Sequence, residues 1–175
     1  MTAAHIRPAA PADADALADV TLDCVEGGAS VGFMLPLPRQ TAVNFWRAAL
    51  LAAERGERAV LVAEDAAGVV GTVSLLLAMP DNQPHRADLS KMQVHRRARR
   101  RGVGEQLVRA AEAVARGHGR TLLVLDTVSG SDAERLYRRL GWRVCGEIPG
   151  FALWPAGGLC STTVLFRELS PAGPA

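Results

Sequence analysis

Ala98-Arg99-Arg100-Arg101-Gly102-Val103-Gly104 is the stretch on which the reading of this chain turns, because a strand-like run, Asp88 to Val94, leads into it and a helix-like run, Glu105 to Arg116, leads out. Gly102 and Gly104 permit backbone conformations closed to residues with a Cβ, so successive N–H groups can converge on an anion at the positive end of a helix. Leu107, Val108, Ala111, Val114 and Ala115 form one apolar stripe on that helix, and Gly117 is a natural stop. The loop is therefore a candidate phosphate cradle with a scaffold. A Walker loop is absent, and the dinucleotide fingerprint GxGxxG would need a glycine where Leu107 stands.

Working outward, the upstream half supplies a short strand, His5 to Pro8, and a helix that opens at Asp13 and Asp15, carries Leu17, Val20 and Cys24 inward, and ends at Gly27-Gly28. An uncharged loop, Gly27 to Pro38, leads to a second helix, Thr41 to Arg55, with Val43, Trp46, Leu50 and Leu51. Ala59 to Glu64 and Val69 to Leu77 read as a hairpin joined at Asp65 to Gly68. Downstream of the cradle helix come a strand, Thr121 to Thr127, a helix opened by the capping box Ser131-Asp132-Ala133-Glu134, a strand around Val144, a loop, and a last strand, Ser161 to Leu169. Hairpins followed by a βαβ crossover imply an α/β (α+β) fold: a mixed, mostly antiparallel sheet of about seven strands with helices on both faces.

The 175 residues suit one core, and no linker divides two apolar blocks, so the expected organisation is a single domain over 1–169 with a flexible tail over 170–175. The formal net charge is only +2, so the five arginines between His95 and Arg101 point to a local anion site rather than to nucleic acid or an acidic membrane. The uncharged run Ile148 to Phe166 is broken by two prolines, Gly157-Gly158 and hydroxyl residues, which reads as a loop followed by a strand and not as a spanning helix. Cys24, Cys145 and Cys160 are odd in number and far apart, so neither a disulfide framework nor a metal site is expected. No signal-like segment is read near His5 and Arg7, and a cytoplasmic protein is expected.

Arg99-x-x-Gly102-x-Gly104, followed in order by the strand from Thr121 and by Ala133-Glu-Arg-Leu-Tyr137-Arg-Arg-Leu-Gly141-Trp142, resembles the GNAT superfamily of N-acetyltransferases from about Asp88 to Leu169. Ile148 to Pro155 and Cys160 to Thr163 are similar to a subgroup that acetylates small molecules, including tabtoxin-resistance-type enzymes. The resemblance implies acetyl-CoA as cofactor, with its pyrophosphate on Arg99, Arg100, Arg101, Gly102, Val103 and Gly104. It further implies that the strands bracketing the cradle helix are parallel and splay apart to admit the pantetheine. A backbone N–H near Met92 to Val94 would then polarise the thioester oxygen. Where many members carry an asparagine, this chain has Gly130, and Ser129, Ser131 or Thr127 are left to supply hydrogen bonds to the cofactor; Ser131 is also explained as a helix cap.

Tyr137, the single tyrosine, stands where the family places the hydroxyl that protonates the departing thiolate, although the stripe Ala133, Leu136, Tyr137, Leu140 equally explains it as a core aromatic. Asp88 and Asp126, with Glu147 and His85 behind them, are the candidates to take the proton of the attacking amine. Phe33, Met34 and Trp154, with Leu35, Phe151 and Leu153, are expected on two loops, Gly27 to Pro38 and Gly150 to Gly158, that flank the acceptor side. There they would close a cavity around a small amine, or instead form a homodimer contact. Direct transfer in a ternary complex is expected, since neither Cys145 nor Cys160 has a histidine nearby in sequence. The alternatives are a protein or peptide N-acetyltransferase and a noncatalytic acyl-CoA-binding domain.

Overall fold

The computed structural model describes residues 4–170; residues 171–175 of the expected tail lie outside the described residues. The elements are β1 (His5–Pro8), α1 (Ala14–Glu26), α2 (Arg39–Glu54), β2 (Arg58–Asp65), β3 (Gly68–Leu76), β4 (Arg86–Val94), α3 (Val103–Gly117), β5 (Leu122–Val128), α4 (Asp132–Arg139), β6 (Arg143–Leu153) and β7 (Leu159–Glu168), with 3-10 turns at Pro11–Asp13 and Arg96–Ala98. They build a seven-stranded sheet in the order β1-β2-β3-β4-β5-β7-β6. Every neighbouring pair is antiparallel except β4 with β5. The expected mixed, mostly antiparallel architecture is what forms. No helix among the described residues is long and apolar enough to cross a membrane.

Alternation along β2 divides the interior in two. Leu61 and Ala63 join Val70, Val73 and Leu75 under Leu107, Val108 and Ala111 of α3, with Tyr137 and Leu140 at the α4 end. Val60 and Val62 face the other way, onto Leu17 of α1 and Val43, Trp46 and Leu50 of α2. The central strands thus carry helices on both faces, and their edges of β-branched and aliphatic residues are buried from both sides.

One stretch departs from the sequence expectation. Gly150 to Leu153, expected as part of a loop, continues β6, and the reversal is confined to residues 154–158. Pro149 and Gly150 signal a break in sequence, yet β6 is the outermost strand, so the missing N–H of Pro149 leaves no ladder partner unmatched. The register against β7 slips between Ile148 and Ala152, and Gly150 there takes a positive φ of 63°. A bulge at an edge accommodates both residues.

Candidate active site

The parallel pair β4–β5 is short. Only Arg86, Ala87 and Asp88 are in register with Leu122, Leu123 and Val124, so β4 from Leu89 to Val94 has no β5 partner and the strands part beyond Asp88. On its other side β4 steps out of register with β3: Thr72 lies opposite Gln93, but Ser74 opposite Ser90, so β4 carries one extra residue. Lys91, with φ 51°, occupies this bulge. The sequence holds a trace of it, because the inward apolar positions Ala87 and Leu89 are followed by Met92 and Val94, a step of three where an unbroken strand gives two.

Beyond the bulge the chain enters the glycine loop. Arg100 and Gly102 both adopt left-handed backbone, φ 60° and 78°, and Gly102 caps α3 with no side chain covering the helix end. The first N–H groups of α3 are consequently free to meet an anion. A Cβ on Gly102 would enter open space, 3.9 Å from Gln106 Nε2, so glycine is required here by conformation. Gly104 is different: its Cβ would meet Leu136 Cδ2 at 3.0 Å and Met92 Sδ at 3.8 Å, so this glycine lets α3 approach α4 and β4.

The five arginines separate by partner. Arg96 pairs with Asp23 at 2.8 Å and Arg97 with Asp65 at 2.8 Å. Arg99 donates Nε–H to the Val94 carbonyl at 3.1 Å, bracing the loop against β4. Arg100 and Arg101 make no ion pair among the described residues and are exposed, which leaves two cations beside the bare helix end. The loop therefore fits a pyrophosphate: unpaired backbone donors, a left-handed turn and two free guanidinium groups. Ser131 caps α4, its Oγ accepting from Glu134 N–H at 3.1 Å. The reciprocal half of the expected capping box does not form, since Ser131 N–H donates to the Val128 carbonyl; Glu134 accepts from Gly130 N–H at 2.6 Å instead, which holds its carboxyl below the usual range. Gly130 thus serves as a turn residue, φ 74°, and the Ser131 oxygen is already engaged.

Tyr137 is buried, its ring 5.5 Å from that of Trp142, so the core-aromatic expectation describes its packing. Its hydroxyl nevertheless finds no hydrogen-bond partner among the described residues. Burial, reinforced by the negative charge of Asp126, pushes its pKa above that of a free phenol, and the proton stays on the oxygen at neutral pH. Asp126 lies on β5 past the last residue paired with β4 and accepts from Thr162 Oγ at 2.9 Å. Asp88 sits on the closed side of the splay and is held in a short ion pair by Arg86. Of the two carboxylates, Asp126 is the one beyond the point where the strands part.

The loop between α1 and α2 meets the β6–β7 reversal. Leu35 N–H donates to the Pro155 carbonyl at 2.9 Å, and Ser30 Oγ donates to the Leu153 carbonyl at 2.9 Å. Phe33 is half-buried, edge-on to Phe45 at 5.3 Å, whereas Met34 and Trp154 are exposed. Lys91, which the sequence reading passed over, stands 5.6 Å over the Phe45 ring. Cys24 and Cys160 are buried and Cys145 is exposed on β6.

A family model described as an acetyltransferase (GNAT) domain matches residues 56–144, just over half of the chain. Among solved structures, a ribosomal-protein-alanine N-acetyltransferase from Brucella melitensis is 27% identical, with a TM-score of 0.78 over 94% of this chain and 99% of that one. A GCN5-related N-acetyltransferase from Kribbella flavida is also 27% identical, with a TM-score of 0.79 over 95% of this chain and 98% of that one. The protein yncA from Salmonella typhimurium, solved with its cofactor acetyl-CoA, is 23% identical with a TM-score of 0.78 over 99% of this chain and 98% of that one, which at this identity speaks for the fold. With the domain match running from the hairpin through the cradle to the Tyr137 helix, the chain belongs to the GNAT acetyltransferase family, acyl-CoA-dependent enzymes that use acetyl-CoA as co-substrate.

Proposed function

We propose that the protein, acting as one domain over 1–169, transfers the acetyl group of acetyl-CoA to the amine of a small molecule by direct attack in a ternary complex. The observation that carries this reading is the Tyr137 hydroxyl, protonated and without a protein partner at the tip of a buried ring, near enough to Asp126 on the open part of β5 for that charge to be felt. Acetyl-CoA supplies an activated thioester. Gly102, Val103 and Gly104 at the start of α3, with Arg100 and Arg101, hold its pyrophosphate, and Arg99 keeps the loop against β4. Backbone N–H groups of β4 between Met92 and Val94, freed of β5, polarise the carbonyl oxygen. A primary amine is mostly protonated at neutral pH, so it must lose a proton before attack. Asp126, exposed beyond the splay, is the better acceptor of that proton than Asp88, which Arg86 already occupies. Tyr137 donates its proton to the departing sulfur.

Small size of the acceptor is supported by the two hydrogen bonds that tie the Ser30–Leu35 loop to Leu153 and Pro155, since they join the loop that carries Phe33 and Met34 to the reversal that carries Trp154. Phe33, Met34 and Trp154 would line it. The second reading, a protein N-terminus as acceptor, is favoured by the likeness to the ribosomal-protein-alanine enzyme. Ile148, Phe151, Leu153 and Leu159 are exposed along β6 and β7, a surface suited to a homodimer. Pure protein incubated with acetyl-CoA and a panel of small amines, amino acids and peptides, with free thiol followed, tests the assignment. Turnover of free amines is expected; turnover confined to long peptides overturns it.

A further inference from the structure

The face of the central sheet beneath α1 and α2 holds a group of hydrogen-bond donors that the acetyl-transfer chemistry does not use. Arg58 at the start of β2 lies on the same face as Val60, and its Nε is buried with no partner. Ser74 lies opposite Val60 on one side and Ser90 on the other; it is fully buried and its Oγ is likewise without a partner. Gln93, also buried, leaves its Nε2 unmatched. Trp46 Nε1 donates to Thr21 Oγ at 2.8 Å, and Thr21 in turn donates to Gln93 Oε1 at 2.8 Å. That leaves the amide nitrogen, a donor, buried without a partner.

Lys91 completes the set. Its Nζ stands over the Phe45 ring, and a Cβ on Gly32 would lie 3.1 Å from it, so the α1–α2 loop folds across the amine. Lys91 makes no ion pair among the described residues. Burial, together with the charge of Arg58, weighs against its ammonium form, and only Asp126 across the splay offsets this. Asp88, which alternation puts on the same face of β4 as Ser90, is committed to Arg86. Two cations and two neutral groups, all offering hydrogens and none matched, describe a site for an oxyanion, because unpaired buried donors and cations are costly. The pyrophosphate is not that anion: the cradle opens α3, which packs on the opposite face.

We propose that the acceptor carries, besides its amine, an oxyanion of the carboxylate class that is seated on Lys91 and Arg58. The inference rests on the small-molecule reading above and narrows it to amino-acid-like acceptors. The test compares free L-amino acids with their carboxamides, following thiol release from acetyl-CoA. The acids are expected to exceed their carboxamides in kcat/KM by about 10- to 100-fold. Lys91→Gln and Arg58→Gln should each reduce that ratio about tenfold through KM for the acid, and Lys91→Arg should restore most of it. Two substitutions on separate strands keep the test open if one variant fails to fold. Equal turnover of acids and carboxamides, or a preference that survives both glutamine variants, overturns this inference and leaves the small-molecule reading standing. Turnover of long peptides alone overturns both.

Discussion

Trp142 donates its indole N–H to Glu112 Oε1 at 3.1 Å, joining the residue that follows Gly141 to the middle of α3. The same carboxylate oxygen lies 3.0 Å from Arg167 Nε of β7, as an ionic contact off the line of a hydrogen bond. Glu112 is buried, so its charge is tolerated only because these partners surround it. The cluster bears on the site through Trp142, whose ring supports that of Tyr137. Replacing Glu112 with leucine strands the indole and the guanidinium and should cost about 3–5 kcal/mol. Glutamine keeps an acceptor for Trp142 and should cost less. Denaturant unfolding checks the order; a leucine variant as stable as the parent would show that the cluster contributes nothing.

Tyr137→Phe keeps the ring in place beside Trp142 and removes only the partnerless hydroxyl. The expected outcome is a fall in kcat of about 100-fold, the lower range for a positioned proton donor, with little change in KM for acetyl-CoA. Because the phenol is pushed above its ordinary value, the parent's kcat should show no descending limb from this group below pH ~10. Unchanged turnover, measured where chemistry limits the rate, refutes the acid role. A lowered melting temperature with full activity would leave Tyr137 as a core aromatic alone.

The elements legible in the sequence are those whose signals are local. Gly102 announces a left-handed helix start and Ser131 a cap, and each does so wherever the rest of the chain lies. What escaped depends on partners far along the chain. Arg96 and Arg97 look like free phosphate ligands until Asp23 and Asp65 are brought to them from 73 and 32 residues away. Pro149-Gly150 looks like a break because sequence does not say that β6 is an edge, where a proline is tolerated. Lys91 looks like one more strand lysine, since its bulge exists only in the register between β3 and β4. Gly104 looks like a phosphate-loop glycine alone, and nothing local shows that Leu136, 32 positions later in the chain, is what a side chain there would also strike.

That last distinction separates two substitutions in the cradle. Gly102→Val forces a β-branched residue into φ 78°, where the site is otherwise open, so the loop must change shape. Acetyl-CoA affinity measured by calorimetry should fall by about tenfold or more while the melting temperature moves little. Gly104→Val instead drives its side chain toward Leu136 and Met92, and should lower affinity and stability together, by about 1–3 kcal/mol in stability. Full acetyl-CoA affinity in a folded Gly102→Val protein contradicts the cradle.

Acid stability should report on the other end of the sheet. Arg7 of β1 grips Asp13 through two nitrogens, at 2.7 and 2.9 Å, and reaches Glu64 of β2 at 2.8 Å through Nε. Asp13 also accepts from Ala10 N–H at 2.7 Å, closing the turn that leads into α1. The hydrogen bonds from Arg7 hold the Asp13 carboxyl below its usual value, against the opposing effect of burial. A carboxyl with a lowered folded pKa adds stability that is fully present above its unfolded pKa, about 3.9, and is lost as pH falls through the lower folded value. Asp13→Asn removes that contribution at every pH and should lower Tm at pH 7 by about 3–12 °C. The gap between parent and variant should hold from pH 7 to pH 5 and close below about pH 4, where the parent carboxylate also takes up its proton. A gap that stayed constant down to pH 2 would mean that the asparagine acts by shape alone and that the Arg7 pair adds no stability through its charge.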